Sequence, residues 1–137
     1  MKDYSVLPDG MPLDAVAAEF ERALAEINAQ PSPGDNEAVT ALCELAARQW
    51  HTYRLLRDDL RAAIEEWVHS HWRTDSDEYV GQLICLIGSL GLQSLMPRLE
   101  AALAGLLPGD VRQTIQEYLE ETNGDVTDPF RGMKQTT

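Results

Sequence analysis

From Leu13 onward, apolar residues recur every three or four positions, the spacing of one helix face, and the alternation of a half-buried strand is almost absent. The turn Pro8-Asp9-Gly10 precedes Pro12, a residue suited to a first helical turn. Leu13, Val16, Ala17, Phe20, Leu24 and Ile27 then trace an apolar face, with Asp14, Glu19, Glu21 and Glu26 largely off it. Pro31-Ser32-Pro33-Gly34 ends that helix by Gln30. Asp35 or Asn36 is placed to cap a second helix, whose buried face is Val39, Leu42, Leu45, Ala46 and Trp50.

No Gly or Pro occurs between Asn36 and Val80, and the stripe continues in phase through Tyr53, Leu56, Leu60, Ile64 and Trp67. One helix of that length is unusual in a small domain. A kink or break is therefore expected near His51–Thr52 or Arg57–Asp58. Arg54/Asp58 and Arg61/Glu65 are opposite charges at i,i+4 on the outer face. Thr74-Asp75-Ser76 closes this region and caps a further helix through Tyr79, Leu83, Ile84, Leu86 and Ile87, which stops near Gly88–Gly91. It is apolar on most sides and should be the central buried element. A helix capped by Ser94, with Pro97 in its first turn, follows, carrying Leu95, Leu99, Leu103 and Leu106 on its face. Leu107-Pro108-Gly109-Asp110 turns into a last helix, capped by Asp110, with Val111, Ile115, Tyr118 and Leu119 packed and Asn123-Gly124 ending it.

The expected fold is thus all-α, built from five to six helices in antiparallel hairpins. At 137 residues the chain fits one domain, long enough to bury a core without staples. Residues 1–10 and 124–137 are expected to be flexible. The opening Met1-Lys2-Asp3-Tyr4-Ser5 has no apolar run of a signal peptide, and Leu83–Leu92 is too short to span a bilayer. A cytoplasmic location and no membrane partner follow as expectations. Cys43 and Cys85 lie in apolar helical runs and read as buried free thiols.

Charge changes the picture. Eleven basic and 23 acidic residues give −12. Residues 1–47 carry nine acids and two bases, residues 48–73 are near balance, and residues 74–137 carry ten acids and four bases. Such a chain repels phosphate backbones, which argues against nucleic-acid binding, and is steered toward basic surfaces.

Candidate chemistry is sparse. In Trp67-Val68-His69-Ser70-His71-Trp72 the histidines are two apart, so on a helix they diverge by about 200° and cannot share one metal. Cysteine pairs at zinc spacing, a nucleophile elbow and a Gly-rich phosphate loop are all missing from the sequence. The doublets Asp58-Asp59 and Glu65-Glu66 read as a solvated ridge among arginines. No catalytic residue, cofactor or metal is assigned. Trp72, beside Asp75, Asp77 and Glu78, has the character of an aromatic interface anchor ringed by charge.

Residues 77–122 read as three helices joined by Leu90-Gly91 and by Pro108-Gly109-Asp110-Val111-Arg112. This segment resembles HEAT-type repeats, in which a Leu-Gly turn links two helices and Gly-Asp-Val-Arg opens the next. The resemblance implies a right-handed helical stack with an exposed ridge as binding surface. A small acidic helical chain of this kind is also similar in type to bacterial immunity proteins, which bind and occlude a cognate toxin. That likeness implies a protein partner such as a basic toxin domain, contacted here by Asp58, Glu65, Trp72, Asp75, Asp77 and Glu78. The other expectation kept open is a scaffold or adaptor subunit; the chain itself is expected to be a monomer or a homodimer.

Overall fold

The structure, a computed structural model, describes residues 4–8, 10–29, 35–52 and 54–127. The expected breaker at 31–34, Tyr53 and the tail from 128 onward lie outside the described residues. Among those described, the regular structure is all helical: α1 (Leu13–Ala29), α2 (Asp35–Trp50), α3 (Asp58–Ser70), α4 (Asp77–Leu90), α5 (Met96–Ala102) and α6 (Gly109–Thr122). Short 3-10 turns at Tyr4–Val6 and Gln93–Leu95 precede α1 and α5.

The long Gly- and Pro-free stretch is two helices, broken at His51–Arg57. Thr52 makes the break: its hydroxyl donates to the Gln49 carbonyl at 2.6 Å and accepts from the Arg54 amide at 3.2 Å. Buried Gln49 donates to the Arg54 carbonyl at 2.6 Å. Side chains that satisfy the backbone of a turn stabilise it against continuing the helix. Arg54 therefore lies outside a helix, and the expected Arg54/Asp58 pair is replaced by Arg61–Asp58.

α2 and α4 form the centre. They pack most extensively on each other, with α1 against α2 and α6 against α4. Leu42, Leu45 and Ala46 of α2 and Leu83, Leu86, Ile87 and Leu90 of α4 are essentially inaccessible. Each such leucine or isoleucine contributes roughly 1.5–3 kcal/mol by leaving water.

α4 is not buried on every side. Gly81 and Cys85 are exposed, because Leu83, Leu86, Ile87 and Leu90 claim the inner arc and position 85 falls opposite. Cys85 is thus not the buried thiol its apolar neighbours suggest, and Cys43 is half-buried. Ser76 caps α4, accepting from the Tyr79 amide at 3.4 Å. Gly91 ends it at φ 68°, a left-handed conformation that glycine adopts without penalty.

α5 is shorter than its leucine pattern predicts. Leu103, Ala104 and Gly105 amides bond three residues back rather than four, so the helix tightens and stops. Leu103 is half-buried and Leu106 fully exposed instead of lying on a buried face. Arg112 holds this end closed, donating to the Leu103 and Gly105 carbonyls at 2.8 Å each. Ser94 does not cap α5, which begins at Met96 with no side-chain cap. Asp110 does not precede α6 but sits in its first turn, accepting from the Val111 amide at 2.8 Å.

Buried side chains also occur near both ends of the described chain. Tyr4 and Val126 belong to the core cluster. Arg48 on α2 donates to the Leu7 carbonyl at 2.8 Å, and Gln93 bonds both Gly124 and Val126.

Candidate functional site

The α3–α4 connection, 71–76, is held from several sides. Tyr79 donates its hydroxyl to the His71 carbonyl at 2.8 Å, and the Arg73 guanidinium lies 4.7 Å from the Tyr79 ring centre. His71 stacks on Trp67 with ring centres 4.6 Å apart and donates from Nδ1 to the Trp67 carbonyl at 2.9 Å. Trp72 is half-buried against the core, with Arg98 of α5 over its ring at 4.7 Å. That arginine also donates to the His69 carbonyl and ring Nδ1, both at 2.9 Å. His69 and His71 thus have separate partners. Among the described residues no group of three His, Cys, Asp or Glu could hold a metal ion.

Asp77 accepts from the Thr114 hydroxyl of α6 at 2.6 Å. This bond ties the second turn of α6 to the first turn of α4, directly after the α3–α4 connection. Trp72, Asp75, Asp77 and Glu78 thus lie together in the α3–α4 connection and the first turn of α4, while Leu106 in the α5–α6 loop is exposed. Asp75 is exposed and pairs with Arg73 at 3.2 Å, and that guanidinium holds its carboxyl below the usual carboxylate range. Glu78 is exposed and has no ion pair with a described residue.

Asp58 and Glu65 fall elsewhere. Asp58 opens α3, about 18 Å of helix away from Ser70. It lines a shallow groove of about 340 Å³ with Arg61, Glu65, Gln93 and Ser94. Glu65 accepts from the Ser94 hydroxyl at 2.6 Å, which displaces the expected Arg61/Glu65 pair. The six candidate residues therefore make two groups: four at one end of the bundle and two along α3.

The sequence reading missed two contributors to the first group and the exposure of Leu106. Arg98 and Thr114 act through contacts distant in sequence, for which no local signal exists. Leu106 was assigned to a helix face, although Gly105 and Pro108 on either side are the signal that the helix stops short of it. Comparison with protein-family models, with curated proteins and with solved structures gives no match to the chain.

Proposed function

We propose that this chain is an acidic protein-binding protein whose partner presents a basic surface, and that it serves as an immunity protein occluding a toxin's active site. The observation that carries the reading is the α3–α4 connection, where half-buried Trp72 lies within six residues of Asp75, Asp77 and Glu78; the proposal sets exposed Leu106 of the α5–α6 loop on the same binding surface. Interface energy concentrates where an aromatic or apolar anchor is dried by a charged rim. The exposed Arg73–Asp75 pair is no obstacle, since such pairs contribute about 0–1 kcal/mol and a partner's arginine can displace Arg73. Asp58 and Glu65 extend the negative track along α3 and add steering. The HEAT-type stack belongs to the same proposal. Its support is that Leu90-Gly91 ends one helix and Gly109-Asp110-Val111-Arg112 opens another.

The test is affinity capture from the native host with the wild-type chain and with an Asp75→Lys/Glu78→Lys/Leu106→Ser variant, matched for circular dichroism and melting. Wild type should retain one basic protein at near-equal stoichiometry, and the variant should lose it. Expressed alone, that protein should arrest growth, and co-expression of the chain should restore it. No basic partner, or equal capture by the variant, overturns the binding reading. A captured partner that is harmless when expressed leaves the binding surface standing and removes the immunity role.

A further inference from the structure

Two thiols from different helices meet on the α2–α4 seam. Cys43 on α2 donates from Sγ to the Gln82 carbonyl of α4 at 3.2 Å. Cys85 is three residues beyond Gln82 on that helix, less than one turn, so the carbonyl that the Cys43 sulfur touches belongs to the same turn of α4 that carries the Cys85 side chain. A second rung fixes the register: Gln82 Nε2 donates to the Thr40 hydroxyl at 3.1 Å, with Thr40 three residues before Cys43. The helices that carry the pair are those with the most extensive mutual packing in the molecule. The two helix backbones that carry the thiols are therefore fixed relative to each other by the core. Their accessibilities differ usefully, since Cys85 is exposed and Cys43 is half-buried.

We propose that Cys43 and Cys85 are a site of reversible oxidation, in which a hydroperoxide converts the two thiols to a disulfide joining α2 to α4. Cys85 is the attacking sulfur. When Cys85 ionises, the one Cys43 S–H proton turns from the Gln82 carbonyl to the thiolate, which the Ser89 hydroxyl also supports, against the opposing effects of partial burial and the Glu44 charge. The pair thus loses its first proton at Cys85 more readily than an ordinary thiol would, and Cys43 holds its own proton correspondingly tightly.

In the first step the Cys85 thiolate attacks one oxygen of hydrogen peroxide. An S–O bond forms, the O–O bond breaks, and the departing hydroxide takes a proton to leave as water. Cys85 is then a sulfenic acid. In the second step the Cys43 sulfur attacks the Cys85 sulfur. The S–S bond forms, the S–O bond breaks, and the hydroxyl leaves as water with the Cys43 proton. Two thiols have lost two electrons and one peroxide has become two waters. A dithiol reductant reverses the change by thiol exchange.

The experiment uses the full chain, reduced and then exposed to hydrogen peroxide at low protein concentration. Intact mass should fall by two hydrogens, proteolysis without reductant should yield one Cys43–Cys85 cross-linked peptide, and dithiothreitol should restore the starting mass. The oxidised chain should melt several degrees higher, because the cross-link joins residues 42 positions apart in the chain. Cys43→Ser should instead accumulate oxygen adducts on Cys85, and Cys85→Ser should stay unmodified at Cys43. Wild-type protein that gains oxygen at Cys85 without the cross-link, forms only intermolecular disulfides, or does not react overturns the proposal. The wild-type peptide map decides this even if a serine variant fails to fold.

Discussion

At the scale of single residues, Gly88 and Tyr118 form a tight contact. A methyl group placed on Gly88 of α4 would meet the Tyr118 hydroxyl of α6 at 2.9 Å. That hydroxyl is buried with no hydrogen-bond partner, and burial, followed by the Glu121 and Cys85 charges, pushes its pKa up to about 12. A desolvated, unpaired hydroxyl contributes nothing favourable, so Tyr118→Phe should leave stability within about 0.5 kcal/mol of wild type or raise it. Gly88→Ala gains about 1 kcal/mol in helix propensity and loses it to the clash. In the Tyr118→Phe background the clash is gone and the same substitution should stabilise. A double-mutant cycle by urea unfolding should show coupling of about 1 kcal/mol; additive effects would refute the contact. The sequence makes Gly88 legible as part of a helix-ending run, but not as the point where α6 crosses α4. Position 85 was misread for a related reason. Hydrophobic run length marks a helix as buried, while only the arrangement of neighbours decides which arc stays open.

At the scale of elements, what could be read from sequence were the signals confined to one turn. Ser76 caps α4, Gly91 closes it, Pro97 falls in the first turn of α5, and Asn123 ends α6 at φ 55°. The elements misread are those settled by distant partners. Ser94 has the composition of a cap, yet its hydroxyl serves Glu65 of α3. Gln93 likewise reaches a partner distant in sequence, the first residues after α6. Gln93 Nε2 donates to the Gly124 carbonyl at 2.8 Å and Oε1 accepts from the Val126 amide at 2.7 Å, and Val126 is buried. Gln93→Ala removes both partners at once and should destabilise the protein by about 1–3 kcal/mol. Hydrogen exchange at the Val126 amide should accelerate well beyond the rate that this loss of global stability explains. Unchanged protection at Val126 would show that its burial alone holds the segment.

At the scale of the whole molecule, the charge balance of −12 sets two effects against each other. Ion pairs such as Arg57–Glu21, Arg57–Asp59 and Arg73–Asp75 are solvent-exposed. Each contributes about 0–1 kcal/mol, and salt weakens it. Opposing them is repulsion among acids that no described base neutralises. Glu66, Glu78, Glu100, Glu120 and Glu121 are all exposed, while the basic residue of α6, Arg112, is committed to carbonyls of the α5–α6 loop. Folding brings these carboxylates closer than they lie in the unfolded chain, so their repulsion opposes the compact state. With few attractive pairs and many uncompensated acids, the repulsive side is the larger. Screening should therefore stabilise the protein, and its melting temperature should rise as sodium chloride goes from about 0.02 to about 0.5 M, where the Debye length shrinks to a few ångströms. Charge-reversing Glu120→Lys/Glu121→Lys should raise the melting point at low salt and flatten the salt dependence. A melting temperature that falls with salt would mean that the arginine pairs outweigh the net charge. The same field that weakens the fold is what would draw in a basic partner, so association with that partner should slow over the same salt range in which the free chain gains stability.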